Sequence, residues 1–122
     1  MSLRVLAIDD SRTMRDLLQS ALEGAGFQVT TAQDGVDGLE RLNSAAPDVI
    51  ITDINMPRLD GFGVIEAVRL SDAGASVPIL VLSTESGADL KARARLSGAT
   101  GWITKPFDDA QLIGAIRRVA RV

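Results

Sequence analysis

The sequence predicts a doubly wound α/β domain, in which parallel strands alternate with helices that cover both faces of one sheet. Short apolar runs recur along the chain and are separated by segments of helical periodicity, a pattern typical of buried parallel strands. The chain has 122 residues, of which 46% are hydrophobic, enough for a single core. We therefore expect one domain, residues 1–122.

The strands are predicted from the apolar runs. The second run is the least apolar, which is typical of an edge strand. Pro78 donates no ladder hydrogen bond and is tolerated at the first residue of a strand, so the fourth strand begins there. The predicted strands are residues 4–9, 27–32, 48–53, a run from Pro78, and 100–104.

The helices are predicted from apolar residues spaced three and four apart. Ser11 or Thr13 is the candidate cap of the first helix, and Asp108 that of the fifth. Residues 91–96 alternate like a strand, but their Ala and Arg content favours a helix that ends at Gly98. The second to fourth helices are predicted at 35–44, 61–70 and 87–97. The inward stripe of the first helix is Met14, Leu17, Leu18, Ala21 and Leu22.

The order of elements is (βα)5. Right-handed crossovers place helices on both faces of the sheet, and the simplest result is a flavodoxin-like sheet with strand order 2-1-3-4-5. In that order the first and third strands are neighbours, so Asp9, Asp10 and Asp53 are expected side by side. Ser83 and Lys105 also follow strands, and ligands of such sheets bind beyond the carboxyl ends of the strands.

The composition restricts the chemistry of this crevice. The chain lacks Cys and His, which excludes disulfides, a Ser-His-Asp triad and nearly all zinc sites. Any metal must bind through oxygen, which favours Mg²⁺, Mn²⁺ or Ca²⁺. The net charge is −3, but residues 86–122 carry +4 and residues 1–85 carry −7. The basic third predicts either an acidic partner or an ordinary solvated surface.

Each residue of the crevice has more than one interpretation. Asp53 is a candidate nucleophile toward phosphorus, a metal ligand or a helix cap. Asp9 and Asp10 alone also suit a helix cap, but with Asp53 and Lys105 they favour a metal site. Ser83 offers a hydroxyl donor and Lys105 a point charge for phosphoryl oxygens. Together these groups suit phosphoryl transfer, which needs mainly positioning and neutralised charge.

Five stretches carry a resemblance to a known family. The chain resembles the receiver domain of two-component response regulators, in particular the stand-alone, CheY-like chemotaxis type, over essentially its whole length. The matching stretches are residues 8–15, 34–35, 52–61, 82–85 and 105–107. Single motifs of this kind are weak, but five in the same order and at matching spacing are specific.

The resemblance implies a site and a mechanism. Asp53 would accept a phosphoryl group from a phosphohistidine of a partner histidine kinase. Mg²⁺, or Mn²⁺ in its place, would be bound by Asp10, the Asp53 side chain and the Asn55 backbone carbonyl, with Asp9 acting through a water. Ser83 would be the switch hydroxyl, Lys105 would contact a phosphoryl oxygen, and the Lys105–Pro106 peptide would be cis.

The resemblance also implies an output. Trp102 would be an aromatic switch coupled to Ser83, although plain packing is the alternative. The remodelled face of the fourth helix, fifth strand and fifth helix would bind a target protein, such as the flagellar motor switch. The chain would be a phosphoacceptor that assists its own phosphorylation and dephosphorylation, and a phosphatase is a possible further partner. A phosphate sink or a regulator outside chemotaxis is the alternative.

Other classes fit less well. A haloacid-dehalogenase-type phosphatase also uses a strand-end Asp with Mg²⁺, but it needs an Asp-x-Asp pair that residues 9–11 lack. A flavin-binding flavodoxin needs a Ser/Thr-rich loop after the first strand, which this chain lacks. An EF-hand needs a Gly and a Glu at later positions of its loop, and these are absent at those positions after Asp53. A pseudo-receiver, which would only dock partners, is the remaining alternative.

Without a signal peptide or membrane span, we expect a cytoplasmic monomer that binds no nucleic acid or membrane. The sequence ends after a finished helix, so we expect a whole protein.

Overall fold

The computed structural model describes residues 2–120 of the chain, and the predicted domain of residues 1–122 extends beyond this range at both ends. Five strands and five helices alternate along it, as predicted. The strands are β1 Arg4–Ile8, β2 Gln28–Ala32, β3 Val49–Thr52, β4 Ile79–Ser83 and β5 Gly101–Thr104. The helices are α1 Arg12–Gly24, α2 Gly35–Ala45, α3 Gly61–Leu70, α4 Ala88–Ser97 and α5 Asp109–Ala120.

The strands form one parallel sheet in the order β2-β1-β3-β4-β5, which confirms the predicted flavodoxin-like topology. Val5 of β1 is paired with Val49 of β3, and Ile8 with Thr52. Because these two strands run in register to the same edge, Asp9 and Asp53 follow them as neighbours. The bounds of the strands differ from the predicted ones by one residue at individual ends: β2 to β5 begin one residue later than predicted, and β1 and β3 end one residue earlier, before Asp9 and Asp53.

The core has two halves, one on each face of the sheet. Alternate residues of one strand point to opposite faces, so Val5 and Ala7 belong to one half and Leu6 and Ile8 to the other. The first half packs against α1 and α5 through the buried residues Leu18, Leu22, Leu112 and Ile116. The second half packs against α2, α3 and α4 through Leu42, Val64, Ile65, Val68 and Ala94.

The predicted inward stripe of α1 is wrong at Leu17, whose side chain is 52% exposed. Only Leu18 and Leu22 of this helix are fully buried, because α1 presents a narrow face to the sheet. Of the two candidate caps, Ser11 is the N-cap, and its hydroxyl accepts a hydrogen bond of 3.2 Å from the Met14 N–H. The cap candidate Asp108 accepts from the Gln111 N–H at 3.0 Å at the start of α5.

The carboxyl end of helix α4 is tied to α3 by hydrogen bonds. Ala94 is its one buried residue, and Gly87 at its amino end makes no side-chain cap. At the other end, the Arg69 guanidinium of α3 donates to the Gly98 carbonyl at 2.7 and 3.0 Å. The same guanidinium donates to the carbonyls of Gly74 and Val77 at 2.9 and 2.7 Å. Arg69 therefore joins the end of α4 to the turn that leads into β4.

Among residues 2–120, no helix combines the length and the apolar character that crossing a membrane requires.

Candidate functional site

Three carboxylates and one ammonium group converge at the carboxyl edge of the sheet. Asp9, Asp10 and Asp53 each offer a carboxylate oxygen, and these oxygens lie within 4.8 Å of one another. The Nζ atom of Lys105 lies 2.9 Å from Oδ2 of Asp9 and 2.9 Å from Oδ2 of Asp53. We call these four residues the acidic site. The structure thus brings together the residues that the sequence placed at the ends of β1, β3 and β5.

Burial and pairing shift the protonation equilibria of the acidic site. Asp9 is 1% exposed, and this burial raises the pKa of its carboxyl, while hydrogen bonds from Lys105 and the Ser11 N–H offset part of the effect. Burial lowers the pKa of Lys105, but its hydrogen bonds to Asp9 and Asp53 outweigh burial and raise that pKa above the ordinary value. Lys105 therefore stays charged and partly neutralises the carboxylates around it.

Backbone groups hold the two buried carboxylates in place. The Ser11 N–H donates to Oδ1 of Asp9 at 2.9 Å, and the Ile54 N–H donates to Oδ1 of Asp53 at 2.7 Å. The carboxylates consequently present their Oδ2 atoms to Lys105. Gly61 permits this arrangement, because a Cβ at that position would collide with the Asp53 carbonyl oxygen and lie 2.8 Å from the Ile54 Cα.

Arg15 is a contact of the site that the sequence did not reveal. Its guanidinium donates to the Asp9 backbone carbonyl at 2.8 Å, which ties the first turn of α1 to the end of β1. The weak signal in the sequence was an arginine six residues after Asp9, one turn into an amphipathic helix.

Ser83 and Trp102 meet at one residue of the next loop. The buried Ser83 hydroxyl accepts a hydrogen bond of 3.2 Å from the Glu85 N–H. The Trp102 indole N–H donates to the Glu85 carbonyl at 2.9 Å. Both side chains therefore contact the Glu85 backbone, one at its N–H and one at its carbonyl, which links the end of β4 to β5.

The candidate metal ligands of the acidic site are the carboxylate oxygens of its three aspartates, and this set fits a hard divalent cation such as Mg²⁺ or Mn²⁺. Asp10 and Asn55 are exposed, so this side of the site faces solvent. Asn55 lies two residues beyond Asp53, in the loop that leads to α3. The Lys105–Pro106 peptide bond is cis, as expected from the resemblance.

The fold and the acidic site define a class of protein. The chain matches the model of the response regulator receiver domain over residues 5–117. The chain belongs to this family, whose members are phosphoacceptor switches of two-component signalling. Family membership therefore supports the receiver-domain interpretation over the haloacid-dehalogenase and flavodoxin alternatives.

Individual relatives narrow the class. The chain is 39% identical over 115 residues to protein PilG of Pseudomonas aeruginosa, which covers 94% of this chain and 85% of PilG. The solved structure of chemotaxis protein CheY4 of Vibrio cholerae is similar with a TM-score of 0.94 at 40% identity, over 98% of this chain and 99% of that one. The chain is 38% identical over 118 residues to the transcriptional regulatory protein PrrA of Mycobacterium leprae, covering 97% of this chain. It spans 50% of the length of PrrA.

Proposed function

We propose that Asp53 accepts a phosphoryl group from the phosphohistidine of a partner histidine kinase and that this modification switches the protein between two states. The observation that carries the proposal is the ammonium group of Lys105, held 2.9 Å from the carboxylates of both Asp9 and Asp53. Since Lys105 sits against Oδ2 of Asp53, it is in reach of a group that bonds to that oxygen.

The transfer is a displacement at phosphorus. Oδ2 of Asp53 forms the new P–O bond while the P–N bond to the donor imidazole breaks, and the bonding electron pair returns to the imidazole nitrogen. The Ile54 N–H holds Oδ1, and Oδ2 lies against Lys105, the group that can contact the incoming phosphoryl oxygens. Lys105 then contacts a phosphoryl oxygen, and its positive charge stabilises the acyl phosphate. Hydrolysis of this acyl phosphate, assisted by the same site or by a separate phosphatase, returns the protein to its first state.

The acidic site also suits the metal that this chemistry needs. Asp10, the Asp53 side chain and the Asn55 carbonyl would hold Mg²⁺ or Mn²⁺, with Asp9 acting through a water, and the metal would supply further positive charge for the phosphoryl oxygens. Asp10 is exposed while Asp9 is buried, which supports a direct role for Asp10 and an outer role for Asp9.

The switch transmits this charge to a surface. Phosphorylation adds about −1.5 to −2 charge and strong acceptors at Asp53. The Ser83 hydroxyl satisfies one of these acceptors when it leaves the Glu85 N–H, and the Trp102 bond to the Glu85 carbonyl carries the change to the α4–β5–α5 face. The contact available only in the phosphorylated state shifts the equilibrium toward it.

The target is a protein of the chemotaxis machinery such as the flagellar motor switch. Similarity to CheY4, a chemotaxis protein, supports this assignment. The basic charge of residues 86–122 supports an acidic docking partner. We further propose a cytoplasmic monomer in which residues 1–122 form a single receiver domain.

A second function is a receiver with a different output or none, such as a phosphate sink or one part of a longer regulator. The match to PrrA supports it, because the chain spans 50% of that transcriptional regulatory protein.

Phosphotransfer tests the proposal directly. The protein is incubated with Mg²⁺ and either acetyl phosphate or a phosphorylated histidine kinase, and the modified residue is identified by mass spectrometry. We expect modification of Asp53 and none in Asp53→Asn, while Asp72→Asn, an exposed aspartate beyond α3, behaves as wild type. A folded protein that remains unmodified with every donor contradicts the proposal. Binding of phosphorylated protein to purified motor-switch protein then separates chemotaxis from the second function.

A further inference from the structure

An ion pair outside the acidic site joins two segments that lie far apart in sequence. Nε of Arg58 lies 2.9 Å from Oδ2 of Asp34, and Nη2 of Arg58 lies 3.1 Å from Oδ1. The Asp34 side chain is 8% exposed and caps α2, since its Oδ1 accepts from the Asp37 N–H at 2.8 Å. A two-point contact between a guanidinium and a buried carboxylate fixes orientation as well as distance.

The backbone of Arg58 is in an unusual conformation. Its φ is +69°, in the left-handed region that side chains with a Cβ disfavour. Such residues persist only where their surroundings hold them. Asp34 supplies that hold, and close packing of the neighbouring Leu59 adds to it, because a Cβ on Gly35 would lie 2.8 Å from the Cβ of Leu59.

Arg58 lies in the loop that bounds the acidic site. We call residues 53–60 the β3–α3 loop; it begins at Asp53, contains Asn55 and ends at the α3 cap Asp60. Within it, the Leu59 N–H donates to the Pro57 carbonyl at 2.8 Å, and the Gly61 N–H donates to the Ile54 carbonyl at 2.8 Å. The Arg58–Asp34 pair links this loop to the N-cap residue of α2, so it restrains the loop, and with it the Asn55 carbonyl, relative to the carboxylates.

We propose that Arg58 is a positioning residue: its ion pair with Asp34 holds the β3–α3 loop in the conformation that lets the Asn55 carbonyl join Asp10 and Asp53 around a divalent cation. The inference rests on the proposed function for the identity of the metal site. Its structural half, an ordered loop in the metal-free protein, stands on the ion pair alone.

Amide hydrogen exchange in EDTA tests the structural half. Arg58→Ala and Asp34→Asn each remove the pair, and asparagine retains the helix cap. We expect faster exchange at residues 54–59 in both variants and unchanged exchange in β1 and β4. Arg41→Ala is the matched control, because it removes the 2.9 Å ion pair between Arg41 and Asp37 within α2. Arg58→Gly relieves the left-handed strain while losing the pair, so it too should exchange faster.

Magnesium titration tests the other half. We expect Arg58→Ala and Asp34→Asn to weaken Mg²⁺ binding by about tenfold, the lower end of the cost of losing an outer partner of a metal site. In phosphorylation by acetyl phosphate, the Mg²⁺ concentration for half-maximal rate should rise while the rate at saturating Mg²⁺ stays near wild type. The double variant should be no weaker than either single variant.

The outcomes separate the two claims. If Arg58→Ala and Asp34→Asn match Arg41→Ala in both exchange and Mg²⁺ affinity, the positioning role is wrong. If exchange rises but Mg²⁺ affinity is unchanged, the role in the metal site is likewise overturned. If wild-type protein is never phosphorylated, the proposed function fails, whereas the exchange and Mg²⁺ measurements still decide the role of Arg58.

Discussion

The loops that follow the neighbouring strands β3 and β4 are held in different ways. The β3–α3 loop is fixed by backbone bonds at both ends, by the Arg58–Asp34 pair and by the buried side chain of Ile54. Residues 84–87, the β4–α4 loop, are all exposed and lead into a helix without a side-chain cap. The β4–α4 loop is held by the hydrogen bonds of Glu85 to Ser83 and Trp102.

This difference separates two tasks within one edge of the sheet. Phosphoryl transfer requires groups that do not move, because misplacement of a reacting group slows the reaction. A change of surface requires a segment with few buried contacts, since such segments reach a second conformation at low cost. The firmly held β3–α3 loop therefore suits phosphoryl transfer, and the exposed β4–α4 loop suits a change of surface.

Matched glycine variants test this difference most strongly. A Cβ at Gly61 would collide with the Asp53 carbonyl and lie 2.8 Å from the Ile54 Cα, whereas a Cβ at Gly87 has nothing within 4 Å. We expect Gly61→Ala to lower the free energy of unfolding by about 3 kcal/mol, because the backbone must shift. Gly87→Ala should change it by about 0.5 kcal/mol or less. Urea denaturation measures both, and equal losses would show that the two loops are equally constrained.

Lys105→Met tests how far the acidic site depends on its one ammonium group. The variant leaves the buried Asp9 carboxylate without its lysine partner, so we expect a loss of about 2–3 kcal/mol in EDTA. Saturating Mg²⁺ should reduce this loss, because a divalent cation also neutralises the carboxylates. Lys91→Met on α4 is the control. Equal stability of Lys105→Met and wild type in EDTA would mean that the ion pairs do not contribute.

Because of Lys105, the free energy of unfolding should depend on pH, by an amount no larger than the loss caused by Lys105→Met. The pKa of this lysine is raised above 10.5 in the folded protein despite burial, through hydrogen bonds to Asp9 and Asp53. A lysine bound more tightly to its proton when folded stabilises the protein fully below its unfolded pKa, and this contribution is lost as pH rises through the folded value. The chain has no Cys or Tyr, so few other groups titrate there. Unfolding in EDTA from pH about 8.5 to 11.5 should show a decline that Lys105→Met lacks.

Asp53→Asn should stabilise the metal-free protein. Asparagine removes one of three mutually repelling carboxylates and leaves Lys105 paired with Asp9. We expect a gain of about 1 kcal/mol, the lower range for a close pair of like charges. A thermal melt in EDTA checks this, with Asp72→Asn as the control. A lower midpoint for Asp53→Asn would show that the bond to Lys105 outweighs the repulsion.

Trp102→Phe should have a small effect on stability. It removes the indole bond to Glu85, at a cost of about 1 kcal/mol or less, since Trp102 is partly exposed. Trp102 is the one tryptophan of the chain, so its fluorescence reports on this loop alone. We expect the emission of wild type to change with acetyl phosphate and Mg²⁺. An unchanged spectrum of fully phosphorylated protein would remove Trp102 from the switch.

The sequence predicted the sheet order and the convergence of Asp9, Asp10, Asp53 and Lys105, because both follow from where apolar runs end. Periodicity of apolar residues is a local signal. It located every helix and strand, and most of their ends lie within one residue of the predicted position. It failed at Leu17, since the width of the buried face of α1 depends on packing against the sheet. The resemblance, in turn, correctly implied the cis Lys105–Pro106 bond.

The side-chain contacts of three arginines were beyond this kind of inference. Arg58 reaches a carboxylate 24 residues away, and Arg69 reaches a carbonyl 29 residues away. Arg15 contacts a backbone carbonyl across the turn between β1 and α1. Such contacts depend on rotamers and on the three-dimensional approach of segments, neither of which leaves a repeating pattern in the chain. The left-handed conformation of Arg58 is equally hidden, because arginine is not a residue that marks positive φ.

Two of the four hydrogen bonds of Arg69 hold the carboxyl end of α4, and the other two hold the segment before β4. The Arg69 guanidinium donates to the Gly98 carbonyl, just past the last residue of the helix. The amino end, about 15 Å away over ten residues, begins at Gly87, which provides no side-chain cap. A rotation of α4 about its Gly98 end would therefore displace most the amino-terminal residues, which follow the loop that contains Glu85. Binding of a partner to the amino-terminal half of this helix would therefore respond to such a rotation. Binding at Leu96, near Gly98, would respond much less.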